Sequence, residues 1–265
     1  MKILVPLKEP FNPDVVKVGI RLTKILRTSL RFLNVTDTSP MRGYLQFPEE
    51  VVSQMKQGGK DTLKKAVDLA TKEGIKATTS IVEGTPHKEI LKIAKNFDMI
   101  VLGIRRFSPE GAIGNVTQKI IGRSLKPIYL VEKDTKKFSN ILVGIDGSEY
   151  SKRALDYSFE FAKMVGISKI FTIFVARSPE EMKVGQGIMK DVQESGKKSG
   201  IKVDTFIKEG HPVKEILKFS DERGVQTIIM GTTGKGTISR LFLGSVSRKV
   251  AAFGECGIII VPYEK

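Results

Sequence analysis

The chain of 265 residues has few of the side chains that build covalent or metal-centred frameworks: one cysteine, two histidines and no tryptophan. With Cys256 alone an intramolecular disulfide is impossible, which agrees with a reducing compartment. The same shortage argues against a zinc site built from cysteine and histidine. The sequence also lacks a run of about 18 apolar residues, the length that a membrane span needs.

The N-terminus shows no targeting signal. The apolar stretch that begins at Ile3 is too short for a secretory signal peptide and fits a first β-strand. From this stretch and the absence of a long apolar run, we expect a cytoplasmic protein that does not contact the membrane.

Acidic residues are in the minority. The chain has 44 lysines and arginines against 29 aspartates and glutamates, which gives a formal net charge of +15. A surplus of this size is compatible with nucleic acid or other anionic ligands. The basic residues, however, are mostly scattered singly over predicted helices, as Lys56, Lys60 and Lys64 are. This distribution favours a solvated, lysine-rich surface over a nucleic-acid partner.

The sequence repeats itself, and the repeat defines the domains. Residues 83–91 (EGTPHKEIL) and 209–217 (EGHPVKEIL) are identical at seven of nine positions. Residues 2–7 (KILVPL) also resemble residues 140–145 (NILVGI), and residues 100–103 resemble residues 228–231. We therefore predict two copies of one unit, residues 1–136 and residues 137–265, joined by a short polar linker.

Each unit shows apolar strands alternating with amphipathic helices. In the second copy strands are predicted at 139–145, 169–175, 201–207, 226–230 and 257–262, and helices at 149–165, 179–198, 212–222 and 244–254. Such alternation predicts an α/β fold with a parallel sheet covered on both faces, doubly wound and five-stranded in each domain. Ligands of these sheets bind beyond the carboxyl ends of the strands.

A glycine-rich segment follows the fourth strand of the second copy. Gly231 and Gly234 permit close backbone approach, and Gly244-Ser245 opens the last helix, where free N–H groups and the helix dipole favour an anion. Lys235 and Arg240 lie between the glycines and could meet phosphate charge. The spacing predicts a phosphate site. The alternative interpretation is a glycine-rich loop followed by an ordinary serine N-cap, without a ligand. It fits neither the Walker A loop nor the dinucleotide fingerprint.

The pattern Gly-x2-Gly-x9-Gly-Ser after a strand ending in Ile228-Ile229-Met230 resembles the ATP-binding signature of the universal stress protein family. The opening strand with its turn, 141–148, and the segment 209–212 are also similar to that family. The resemblance covers both copies and implies a tandem member with a Rossmann-like fold. It implies ATP as ligand, with Mg²⁺ or Mn²⁺ carried by the phosphates, and no metal site made by the protein.

The resemblance also implies the residues of the site. Asp146 corresponds to the acidic residue at the nucleoside end, and the backbone of Val175 to the adenine contact. The phosphate path and the phosphate-binding helix start correspond to Met230, Gly231, Gly234, Gly244, Ser245, Val246 and Ser247.

The first copy departs from this pattern. Lys8 stands in place of Asp146, Arg106 in place of Gly234, and Asn115 in place of Ser245. We therefore predict that residues 1–136 do not bind ATP in the same way. This half is also the more basic, with 24 basic against 14 acidic residues. Lys8, Arg105 and Arg106 either bind another anion or are ordinary solvated loop residues, and the second interpretation is favoured.

Catalytic candidates are few. His211 is expected at a helix N-cap, His87 on a solvated first turn, and Cys256 as a small buried hydrophobic residue. The leading hypothesis is an ATP-binding stress-response or signalling module without catalytic residues. The alternatives are a slow ATPase or autophosphorylating enzyme, and an interaction protein whose ligand is not ATP.

The resemblance implies one further contact. Family members pair through their last strands, and the apolar segments 128–131 and 258–261 would let the two copies pair within one chain. A homodimer is compatible with the sequence, but no residue pattern supports one.

Overall fold

The computed structural model of the protein describes residues 1–39, 48–104, 113–234 and 243–262. In these residues the strands are β1 (Lys2–Leu7), β2 (Ser29–Asp37), β3 (Ala77–Gly84), β4 (Met99–Gly103), β5 (Ile128–Val131), β6 (Ile141–Gly144), β7 (Lys169–Ala176), β8 (Lys202–Glu209), β9 (Thr227–Gly231) and β10 (Gly257–Val261). The helices are α1 (Pro13–Leu26), α2 (Glu49–Lys72), α3 (Pro86–Ala94), α4 (Asn115–Ile121), α5 (Glu149–Met164), α6 (Pro179–Ser199), α7 (Pro212–Glu222) and α8 (Ser245–Phe253).

The described strands form one sheet in the order β3-β2-β1-β4-β5-β10-β9-β6-β7-β8. Strands pair in parallel within each half, and β5 and β10 pair antiparallel. Strand order reverses between β1 and β4 and again between β6 and β9, which makes each half doubly wound. The predicted α/β class and its duplication are confirmed.

The central strands are apolar along their whole length because both faces of the sheet are covered. Ile3 and Val5 face one hydrophobic cluster with α1 and α2, whereas Leu4 faces a second cluster with α3 and α4. Successive side chains point to opposite faces of a strand, so continuous apolar runs indicate burial on both sides. The strands and helices predicted for the second copy agree with the structure to within two residues at each end.

Tyr129 on β5 connects the two halves at the centre of the sheet. It stands opposite Ile259 in the antiparallel pair, and its ring is fully buried. Its hydroxyl lies 3.2 Å from Oγ1 of Thr227 on β9, and the edge of Phe138 packs on the ring at 5.9 Å between centroids. Burial raises the pKa of Tyr129 to about 12. The tyrosine is therefore a neutral, hydrogen-bonded member of the core.

The linker between the repeats is anchored to the first half. Arg21 of α1 donates to both carboxylate oxygens of Asp134, at 2.6 and 3.2 Å, and also to the carbonyl of Thr135. This fork geometry holds a carboxylate better than a single contact does. The polar linker is thus attached at its centre to a helix of the first unit.

His87 is buried, so the expectation of a solvated histidine is wrong. Its side chain is 7% exposed, because the first turn of α3 packs beside α4. Burial lowers the pKa of His87, and the positive charges of Lys119 and Arg123 on α4 act in the same direction. The histidine is held neutral inside the first half. His211, in contrast, is the N-cap residue of α7, as predicted.

The tyrosine–threonine pair predicts a coupled effect on stability. Tyr129→Phe and Thr227→Val should each lower the free energy of unfolding by about 1–3 kcal/mol. Each variant removes one hydroxyl of the buried pair, so the other hydroxyl loses this hydrogen bond. The double variant should lose less than the sum of the two, since it removes both polar groups together. Urea denaturation of the four proteins measures the coupling, and strictly additive losses would contradict it.

His87 predicts a loss of stability in mild acid. Below about pH 6.5 the unfolded chain takes up a proton at this histidine while the folded chain, with its lowered pKa, does not, so the free energy of unfolding falls as the pH drops. His87→Val, which installs the residue found at the matched position Val213, should flatten that dependence. Thermal unfolding between about pH 7 and pH 5 measures it. A matched control, His211→Thr, should retain the slope, and an unchanged slope in His87→Val would refute the assignment.

Candidate functional site

A cavity of about 330 Å³ lies at the carboxyl ends of β6, β7 and β9, where the strand order of the second half reverses. This is the position at which parallel α/β sheets bind ligands. All nine residues predicted for the site line it: Asp146, Val175, Met230, Gly231, Gly234, Gly244, Ser245, Val246 and Ser247. Lys235 and Arg240 fall outside the described residues.

Asp146 is fixed by the start of the next helix. Its Oδ1 accepts hydrogen bonds from the backbone N–H of Ser148, at 2.9 Å, and from the Ser148 hydroxyl, at 2.6 Å. Ser148 is the N-cap of α5, and its Oγ also accepts from the N–H of Ser151. The carboxylate thus has a set orientation at the wall of the cavity. Its second oxygen, Oδ2, lies against the Cα of Gly234.

Gly231, the last residue of β9, and Gly234, three residues later, are required by the protein's own packing. A Cβ on Gly231 would lie 2.6 Å from the carbonyl oxygen of Tyr150, in the first turn of α5, and one on Gly234 would overlap Oδ2 of Asp146. Glycine therefore lets the end of β9 approach α5 and the carboxylate of Asp146. The structure shows the close approach to these two glycines that the sequence predicted. The groups that approach them are α5 and the carboxylate of Asp146.

Helix α8 begins at the cavity without a side-chain cap. Gly244 occupies the N-cap position, and within the described residues the helix start has no side-chain cap hydrogen bond. The N–H groups at the start of a helix have no intrahelical acceptor, so those of Ser245, Val246 and Ser247 are available to an anion. The start of α8 is also tied to the end of β9, because the Ser247 hydroxyl donates to the Gly231 carbonyl at 2.9 Å.

Thr233 is a site residue that the sequence did not single out. It is 4% exposed and lines the cavity, and its Oγ1 has no hydrogen-bond partner among the residues that the structure describes. A buried hydroxyl without a partner is costly, and a ligand oxygen would satisfy it. Its position between the motif glycines Gly231 and Gly234 could have marked Thr233 as a candidate. The sequence does not reveal, however, whether its hydroxyl has a hydrogen-bond partner.

Charged groups at the rim of the cavity come from the segment after β7. The N–H of Arg177 donates to Oε2 of Glu181 at 2.8 Å, and both residues line the cavity. Apolar atoms of Phe174, Val184 and Ile216 complete the wall. The site therefore combines a polar end at α8 with an apolar end near β7.

A matching cavity of about 340 Å³ occupies the first half, at the carboxyl ends of β1, β2 and β4. Lys8 lies at its rim where Asp146 lies in the second cavity. Arg105 and Arg106 fall outside the described residues. The altered motif has thus left a cavity in place, and its lining differs from that of the second half.

Metal-binding and thiol chemistry have little support. Among the residues that the structure describes, no group of three or more histidine, cysteine or acidic side chains could hold a metal ion. Burial raises the pKa of the Cys256 thiol to about 11, and its Sγ lies 3.8 Å from the Ser220 hydroxyl. A thiol protonated to this extent is a poor nucleophile.

In the described part of the chain, no helix is long and apolar enough to cross a membrane.

Known proteins resemble the chain in sequence and in structure. The sequence model of the universal stress protein family matches it twice, at residues 1–132 and 137–262. The universal stress protein YxiE of Bacillus subtilis is 30% identical over 146 residues, which are 47% of this chain and 99% of that protein. A universal stress protein of Mycobacterium bovis is 23% identical over 82% of this chain and 81% of its own length.

A solved structure shares the architecture of the whole chain. The crystal structure of a universal stress protein from Archaeoglobus fulgidus superposes with a TM-score of 0.80 and 24% sequence identity, over 98% of both chains. The two family matches and this full-length likeness agree with the internal repeat. The chain therefore belongs to the universal stress protein family, as a tandem member with one family unit in each half.

Proposed function

We propose that the second half of the chain, residues 137–265, binds ATP, with Mg²⁺ or Mn²⁺ carried by the phosphates, and that the protein acts as a nucleotide-dependent stress-response or signalling module. Residues 1–136 form the other domain of this module. One observation carries the proposal: the uncapped start of α8 and the unpartnered Thr233 hydroxyl line the same cavity as Asp146.

The phosphate end of the ligand is assigned to α8 and the end of β9. The N–H groups of Ser245, Val246 and Ser247, together with the helix dipole, favour negative charge at this point. The hydroxyl of Thr233 adds a donor from inside the cavity wall. Because the Ser247 hydroxyl already donates to Gly231, Ser247 contributes through its backbone.

The nucleoside end is assigned to the opposite wall. Asp146 is a fixed acceptor for a sugar hydroxyl, since its orientation is set by Ser148. The backbone of Val175 and the apolar side chains of Phe174 and Met230 border the space for a flat base. A polar end and an apolar end within one cavity suit a nucleotide better than a simple anion.

A signal would arise because the nucleotide contacts two separate segments of the chain and holds them together. Residues 231–234 and 244–247 come from different elements, and one ligand touching both would stabilise the arrangement in which they lie together. We also propose that the β5–β10 pairing holds the two domains together within one chain in solution. A homodimer is not needed for that contact.

The unpartnered hydroxyl gives a direct test of the phosphate end. Thr233→Val keeps the shape of the side chain and should weaken ATP binding roughly tenfold, because one hydrogen bond to the ligand is lost. The melting temperature of the free protein should hold or rise, since a buried hydroxyl without a partner is removed. Calorimetric titration of the full chain with ATP and Mg²⁺ measures the affinity. The matched control is Thr36→Val in the first half, and equal affinities in all three proteins would refute the role of Thr233.

A bulky side chain at the mouth of each cavity tests which half binds the nucleotide. Val246→Trp should abolish ATP binding, whereas Val116→Trp, at the matched position of the first half, should leave it unchanged. The melting temperatures of both variants, read without ATP, verify that they are folded. Loss of ATP binding in Val116→Trp alone would place the nucleotide in the wrong half and overturn the proposal.

A further inference from the structure

The cavity of the first half is walled mainly by hydrocarbon. Its volume of about 340 Å³ is within the range of small-molecule sites. Apolar side chains from strands and helices on all sides form most of the wall: Leu7, Leu33, Val35, Ile90, Leu102 and Ile120. Met55 and Val116, each 37% exposed, extend the apolar surface to the mouth.

Matched positions show that this cavity has lost polar groups that the second one has. Ser151, the third residue of α5, corresponds to Val15, the third residue of α1. Glu181 corresponds to Met55, because each stands four residues before a helical glycine that packs on the second strand, Gly185 on Phe174 and Gly59 on Asn34. A hydroxyl and a carboxylate are thus replaced by a valine and a methionine.

One of the polar groups that this cavity has and the second cavity lacks is a deeply buried hydroxyl. Thr36 is 3% exposed and lines the cavity, and in the described part of the chain its Oγ1 has no hydrogen-bond partner. The strand registers match Thr36 with Ala176, which has no hydroxyl. The fold therefore does not need a hydroxyl here, and a buried hydroxyl without a partner costs stability unless a ligand satisfies it.

Other polar side chains of the wall are already engaged. The amide of Asn34 donates to the carbonyl of Leu7 at 3.0 Å, and Oδ1 of Asn12 accepts from the N–H of Asp14. Oδ1 of Asp37 accepts from the N–H of Ser39 at 2.9 Å. Thr36 is thus the buried side chain of the described wall whose polar atom has no partner.

Among the residues that the structure describes, the charges around the cavity do not favour a polyphosphate. Lys8 is exposed at the rim, but the carboxylates of Glu9 and Asp37 line the same cavity and oppose its charge. Helix α4, which corresponds to α8, presents Asn115 where Ser245 stands, and Asn115 is not part of the wall. A ligand without net charge fits these surroundings best.

We propose that the cavity of the first half binds an uncharged, mostly apolar small molecule with one hydrogen-bonding group, and that the hydroxyl of Thr36 bonds to that group. The site is separate from the proposed nucleotide site and does not depend on it. Each half would then bind its own ligand class, with an apolar molecule in the first domain and a nucleotide in the second.

The probe for this site is 1-octanol, an apolar chain with one terminal hydroxyl. Titration of the full chain, followed by calorimetry or by saturation-transfer NMR, should show saturable binding of one molecule per chain. Saturating ATP should not displace it. Val116→Trp should abolish octanol binding and leave ATP binding unchanged. Val246→Trp should abolish ATP binding and leave octanol binding unchanged. A failure of the proposed nucleotide site would therefore leave the octanol result readable.

Thr36→Val tests the hydrogen bond itself. Octanol affinity should fall roughly tenfold, while the melting temperature of the free protein holds or rises. The control is Thr28→Val, which removes another buried hydroxyl without a partner, one that lies outside the cavity wall and should not affect affinity. The proposal is overturned if octanol shows no saturable binding, if ATP displaces it, if Val116→Trp still binds it, or if Thr36→Val binds it as wild type does.

Discussion

Both cavities depend on one close contact between the fourth strand of each half and the first turn of its first helix. In the second half a Cβ on Gly231 would meet the Tyr150 carbonyl at 2.6 Å, and in the first half one on Gly103 would meet Cγ2 of Val15 at 2.8 Å. Glycine at the strand end lets the helix lie directly against the strand. That approach places Lys8, directly after β1, and Asp146, two residues after β6, at the walls of the two cavities.

The same constraint explains which motif positions changed between the halves. Gly231 and Gly103 are both glycine because both strand ends contact a helix. Gly234 is held to glycine by the carboxylate of Asp146, and the first half has neither the aspartate nor the glycine, but Lys8 and Arg106. The two substitutions are therefore coupled: once the carboxylate is lost, the reason for a glycine three residues after the strand end is lost with it.

Much of this could be predicted from sequence, because repeats, strand ends and helix starts leave periodic or compositional signals. The convergence of Asp146, Val175 and Ser245 on one cavity was implied by the resemblance to the family, whereas the duplication and the α/β class follow from such signals. The burial of His87 does not, because it depends on how α3 packs beside α4. The altered motif of the first half predicts only that ATP does not bind there in the same way, and it does not predict that a cavity remains. The cavity persists because its walls come from repeated strands and helices, which the motif residues do not build.

The two halves keep an unusual feature in common. Among the described residues four side chains have a buried polar atom without a partner, Thr28, Thr36, Tyr157 and Thr233, and two of them line the two cavities. Other buried hydroxyls of the described residues are satisfied, as when the Thr23 hydroxyl donates to the Gly19 carbonyl at 2.8 Å. A threonine in the same environment could be valine at no cost in shape and with a gain in stability. One of these threonines lies beside a helix start and the other within an apolar wall, and this difference is the basis on which we propose ligands of different chemistry for the two halves.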